Sequence, residues 1–148
     1  MDPERARRKL LALLPAVADG IRREADRISR ENFCDCNAGD VYMVAMIHWD
    51  HDGSARPSDL IGSIYTTSAG VTGSLKRLEA AGYVERRKTP KDGRVYLAVV
   101  TEAGRRTVES AAPAFNNLAS TVTAGLDDSD IERLSTMAER YLATTLGG

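Results

Sequence analysis

A chain of 148 residues is one ordinary domain's worth and can bury a real core. Its 43% apolar and 28% charged residues exclude a disordered chain, and its two cysteines exclude a disulfide framework. The formal net charge of −1 hides an uneven distribution: Arg56 to Arg106 holds ten basic residues against five acids, whereas Thr107 onward holds six acids against Arg133 and Arg140. A basic middle between neutral or acidic ends points to a local polyanion-binding face.

Taken in chain order, Leu10, Leu13, Leu14, Val17, Ile21 and Ile28 recur at helical spacing and predict a long amphipathic helix from Pro3 to Asn32, with Pro15 and Gly20 as places to bend. A break follows through Cys34, Cys36, Asn37 and Gly39, and Asp40 is read as the N-cap of a second helix over 41–50. That helix is apolar almost all round and is expected to be buried. His51 to Ser54 ends it, and Pro57 suits the first turn of a short third helix. Thr67 or Ser68 caps a fourth helix, to about Ala81, whose inward side is Val71, Leu75 and Leu78; Gly82 stops it. Residues 83–87 and 95–100 read as two strands joined by turn residues 89–94, with Asp92-Gly93 as the hairpin signal. Thr101 caps a fifth helix, to about Ala124, with Val108, Phe115, Leu118 and Val122 as its stripe and Pro113 as a place to kink. Asp127 or Asp128 caps a sixth helix carrying Ile131, Leu134, Met137, Ala138, Tyr141 and Leu142.

A short helix, a turn and a second exposed helix form a helix-turn-helix, whose second helix fits the major groove. The outward face there is expected to present Thr67, Ser68, Ala69, Gly70, Thr72, Gly73, Ser74, Lys76 and Arg77. Small residues let the backbone approach the bases, Thr72 and Ser74 can hydrogen-bond, and Lys76 and Arg77 can reach phosphates. The hairpin adds Arg86, Arg87, Lys88, Lys91 and Arg94. A basic hairpin placed directly after such a helix reads as a wing. Arg94 is expected in the minor groove, where narrowing enhances the negative potential. Asp92 is expected to pair with Arg94 and orient it; the alternative is a plain turn aspartate.

The run from Leu78 to Arg87 resembles the L-E-x-x-G-hydrophobic-V-x-R of the MarR (multiple antibiotic resistance regulator) family. Asp92-Gly93-Arg94 resembles that family's wing D-x-R, and Val100-Thr101-Glu102-Ala103-Gly104-Arg105 its L-T-x-x-G-R. Departures are Val100 for the commoner Leu, and Gly70 and Gly73 where larger polar residues are usual. The resemblance implies a homodimer joined through its first and last helices, a pseudo-palindromic operator in double-stranded DNA, and in many cases a repressor released by a small aromatic effector or by cysteine oxidation. The expected architecture is mainly α with a small β-hairpin wing (α+β). It divides into a dimerisation helix over 1–38, a winged helix-turn-helix DNA-binding domain over 39–100, and C-terminal dimerisation helices over 101–148.

Three sensing arrangements compete. A pocket for a small molecule would draw on Tyr42, Met46, His48, Trp49 and Tyr65, although Tyr42, Met46 and Trp49 at helical spacing also suit a plain core. A thiol switch would use Cys34 and Cys36, but Asp35 between them opposes thiolate formation. A zinc site would use both cysteines with His48 and His51, at a spacing unlike the usual one. No metal or other cofactor is expected. There is no glycine-rich phosphate loop after a strand and no nucleophile elbow, so the expectation is a regulator and not an enzyme. The rival class is a winged-helix module that binds protein, which the basic hairpin argues against. The short Leu10 to Leu14 run, followed by charge, does not read as a signal peptide, and no stretch approaches the roughly 20 apolar residues of a membrane span, so the chain is expected in the cytoplasm.

Overall fold

The computed structural model describes residues 2–33, 35–62 and 67–146. Among these residues six helices and three short strands follow one another as α1 (Pro3–Asn32), α2 (Ala38–Asp50), β1 (Ser54–Ala55), α3 (Pro57–Leu60), α4 (Ser68–Ala80), β2 (Val84–Lys88), β3 (Tyr96–Val100), α5 (Glu102–Val122) and α6 (Asp128–Leu146). This is the mainly helical winged architecture that the residue pattern predicts.

Local chemistry sets most boundaries. Asp2 accepts the Glu4 N–H at 3.1 Å, with proline in the first turn, and α1 runs unbroken through Pro15 and Gly20. The second helix begins earlier than expected, because Asn37 and not Asp40 is its N-cap. The Asp40 N–H donates to Asn37 Oδ1 at 3.0 Å and the Asn37 N–H to Asp40 Oδ2 at 3.3 Å, a reciprocal capping box. Thr67 caps α4 by accepting the Gly70 N–H at 3.1 Å. Its far end closes at Gly82, whose φ of +81° lets the Tyr83 N–H reach the Leu78 carbonyl at 2.9 Å.

The sheet has the order β1-β3-β2, all antiparallel. Two-residue β1, which pairs Ser54 with Val99 and Ala55 with Ala98, lies where the sequence suggested only a helix end. A strand that short has no periodicity to detect. β2 and β3 pair from Val84↔Val100 to Lys88↔Tyr96, leaving residues 89–95 as the wing tip.

One core lies under the winged helix. It joins Val44 and Ile47 of α2, Leu60 of α3, Val71, Leu75 and Leu78 of α4, Ala98 of β3, and Val108 and Ala111 of α5. Phe33 closes it edge-on against Tyr83, ring centres 5.2 Å apart. Gly104 brings α5 onto this body: a Cβ there would stand 2.2 Å from the Tyr83 carbonyl oxygen. Thr101 clamps the same corner, donating from Oγ1 to the Gly82 carbonyl at 2.6 Å and accepting the Gly104 N–H at 3.1 Å. The ends differ. Most of α1 up to Arg23 is exposed, and among the described residues of α6 none is buried.

Candidate nucleic-acid interface

The fourth helix separates into two sides. Val71, Ser74, Leu75 and Leu78 are buried, while Thr67, Ser68, Ala69, Gly70, Thr72, Lys76 and Arg77 are exposed and Gly73 is half-buried between them. The small outward surface expected from the sequence is therefore present. Thr72 Oγ1 donates to the Ser68 carbonyl at 3.0 Å, which leaves its lone pairs as the outward-facing polar feature.

Two residues assigned to that surface are engaged elsewhere. Ser74 is turned inward, its hydroxyl donating to Asp40 Oδ1 at 2.6 Å. Arg77 donates from Nε to Asp40 Oδ2 and from Nη2 to Asp40 Oδ1, both at 2.9 Å. The hydrogen bond to Asp40 holds the Arg77 guanidinium above its ordinary pKa. Ser74 is thus no base-reading residue in this conformation, and Arg77 is no unpaired cation awaiting phosphate. The spacing argument missed this because the Asp40 carboxylate comes from 34 and 37 residues away in sequence. The Asn37-x-x-Asp40 spacing could have revealed the capping box.

On the wing, Arg86 lies over the Tyr96 ring at 4.0 Å and meets Glu79 at 3.5 Å, so it braces the hairpin against α4. Arg87 is paired with Glu85. Among the described residues Lys76, Lys88, Lys91 and Arg94 take part in no ion pair, and all four are exposed. Asp92 does not pair with the Arg94 side chain. Its Oδ1 accepts the Arg94 backbone N–H at 3.0 Å, and its carbonyl accepts from Thr89 Oγ1 at 2.8 Å. It is a turn aspartate that shapes the tip and leaves the guanidinium unrestrained.

The sensing residues are scattered. Met46 belongs to the core, whereas Tyr42 and Trp49 are exposed, against the expectation of a wholly buried second helix. His48 is half-buried and lies 3.3 Å from Glu109 of α5 and 5.6 Å, ring to ring, from Trp49. Tyr65 and Cys34 lie outside the described residues, and Cys36 is buried. His51 ends α2. Among the described residues no group of three or more His, Cys, Asp or Glu side chains is arranged to hold a metal ion. No described helix is long and apolar enough to cross a membrane.

A capped, small-faced helix beside a basic hairpin defines a winged helix-turn-helix chain. Its residues 46–96 match the model of the MarR family. An HTH-type transcriptional regulator of Bacillus subtilis (strain 168), YdgJ, itself uncharacterised, is 42% identical over 60 residues; the match spans 40% of this chain and 37% of that one. The chain is also similar to a MepR-like protein complexed with pseudoligands, at 23% identity and a TM-score of 0.76 over 94% of this chain and 95% of the other. A MarR variant from E. coli complexed with operator DNA is 22% identical with a TM-score of 0.75, covering 96% and 99% of the two chains. These structural likenesses establish the fold.

Proposed function

We propose that the protein is a homodimeric, sequence-specific regulator of transcription that binds a pseudo-palindromic site in double-stranded DNA and represses until a small effector releases it. The observation that carries this reading is the juxtaposition of the small exposed face of α4 with the unpaired cations Lys76, Lys88, Lys91 and Arg94. Thr67, Ser68, Ala69, Gly70, Thr72 and Gly73 face the major groove. Lys76 and the wing cations take the phosphates, and Arg94 reaches the minor groove.

Dimerisation is supported by surface area. The chain exposes 10300 Å², whereas a compact monomer of 16.0 kDa exposes about 7,400 Å². The excess of about 2,900 Å² per chain, about 5,800 Å² for a pair, is of the size of a large obligate interface. Its apolar part is concentrated on Leu10, Leu11, Leu13, Leu14 and Val17 of α1 and Leu134, Met137 and Tyr141 of α6. An isologous pairing would cover both helices at once. The repressor role and the aromatic effector follow the MarR resemblance, and the MepR-like protein's pseudoligands support a small-molecule site in this fold. Tyr42, His48 and Trp49, all at least partly open to solvent, are the candidates to meet such a ligand, and Met46 serves the core instead.

The test is fluorescence anisotropy on labelled duplexes from the region upstream of the protein's own coding sequence, against scrambled duplexes, across a salt series. The expected result is preference for one upstream duplex, with log K falling steeply as log salt rises, by about 0.9 for each phosphate neutralised. Weak binding indifferent to sequence and salt overturns the reading in favour of a protein-binding winged helix.

A further inference from the structure

We infer that Asp40 is a positioning residue for the DNA-reading helix, and that Arg77 serves this clasp and not the phosphate backbone. The inference rests on the DNA-binding reading above and adds a residue outside the expected interface. Asp40 is 1% exposed, yet its carboxylate is saturated: Oδ1 accepts from Ser74 Oγ at 2.6 Å and Arg77 Nη2 at 2.9 Å, and Oδ2 from Arg77 Nε at 2.9 Å and the Asn37 N–H at 3.3 Å. Ser74 and Arg77 stand three residues apart on one side of α4, so a single carboxylate grips the helix at two points. A two-point grip with a planar bidentate arm restricts both sliding and rotation of α4 against α2.

That restriction decides which residues look outward. Thr72, Gly73 and Lys76 interleave with the gripped residues over the same two turns. A rotation of α4 about its axis would turn them away from the groove. The anchor itself is tied down, because the Ala38 N–H at the start of α2 donates to Asp26 Oδ1 of α1 at 3.0 Å. Arg77 is 49% exposed, so its charge faces solvent, but swinging the whole guanidinium off Asp40 to grip a phosphate would strip a buried carboxylate of its counter-charge. Leaving a buried charge unpaired costs more than one exposed phosphate contact returns.

The experiment titrates the same upstream and scrambled duplexes with wild type, Lys76→Gln, Arg77→Gln, Asp40→Asn and the double variant Asp40→Asn/Arg77→Gln. Binding is read at a temperature where circular dichroism shows each protein folded, and the half-exposed Arg77→Gln carries the test if Asp40→Asn does not fold. Lys76→Gln is expected to make the salt slope shallower by about 0.9 per subunit and to keep the ratio of upstream to scrambled affinity. Arg77→Gln is expected to keep the wild-type slope while that ratio falls roughly tenfold, the loss of about one well-read base pair. Asp40→Asn should lower the ratio as much with a slope no shallower than wild type, and the double variant should lose no more than the worse single. A shallower slope with an intact ratio in Arg77→Gln makes it a phosphate ligand and overturns the inference. So do variants that melt earlier but discriminate as wild type does, since the clasp is then merely structural. If wild type itself fails to discriminate, the DNA-binding reading falls first and takes this one with it.

Discussion

The winged centre and the two terminal helices are built from similar aliphatic residues and treat them in opposite ways. Between α2 and β3 the leucines, isoleucines and valines are mostly covered: Val44, Ile47, Leu60 and Leu78 have no exposed surface at all. Along most of α1 and α6 the same residue types stand in solvent, with Leu11 73% and Leu134 52% exposed. The centre completes its burial within one chain. The ends carry an amphipathic pattern whose apolar side is left mostly uncovered in that chain, and it is on this uncovered side that the proposed pairing rests.

Mutations can break or sharpen this contrast. The largest stability effect is expected at the centre: Ile47→Ala should cost about 2–5 kcal/mol in denaturant unfolding, because no neighbouring side chain can fill the void completely. Gly104→Ala should cost about 1–3 kcal/mol in the same assay, since its methyl would collide with the Tyr83 carbonyl and push α5 off the winged body.

At the ends the same kind of change should act differently. Leu11→Asp combined with Leu14→Asp is expected to halve the mass seen in sedimentation while leaving the circular dichroism of the winged core intact. Wild type, but not this variant, should melt at a temperature that rises with protein concentration. A monomeric wild type, or an unchanged mass in the variant, would dissolve the contrast.

Smaller effects should separate charge from packing. Arg94→Ala is expected to leave stability within about 0.5 kcal/mol of wild type, because the side chain is exposed and forms no ion pair, while making the salt slope of DNA binding shallower by about 0.9 per subunit. Binding at physiological salt equal to that of wild type would refute the wing assignment.

The smallest effect is expected at Glu102 in the first turn of α5. Hydrogen bonds from Arg105 and Arg106 lower its pKa from the ordinary 4.5 to about 2. A depressed carboxylate stabilises the fold at pH values above its unfolded pKa, and the contribution fades as pH falls from about 4.5 through about 2. The pair is exposed, so the change in stability should be slight, but an NMR titration of the Glu102 carboxyl should show its midpoint near 2. A midpoint at the ordinary value would mean the arginines are not held there in solution.

Much of the fold was legible because the signals are local. Proline or capping residues at Pro3, Pro57, Thr67 and Thr101, the stop at Gly82 and the Asp92-Gly93 turn each act within a few residues, and a sequence displays such signals directly. The outward face of α4 was legible because Val71, Leu75 and Leu78 point the other way. The two-residue β1 escaped notice because it exists only by pairing with Val99 and Ala98. The burial of Ser74 and the engagement of Arg77 were equally invisible, since both depend on Asp40, which the sequence suggested only as a cap.

By itself, then, the sequence determined the order of elements, the basic hairpin and the amphipathic ends, because helix periodicity, capping and turn chemistry are short-range. Tertiary structure alone decided which cations remain unpaired. A charge becomes committed only when folding brings it to a partner, as at Arg77 with Asp40 and Arg86 with Glu79 and Tyr96. It also decided which aliphatic side chains are covered, for burial depends on what the rest of the chain lays against them.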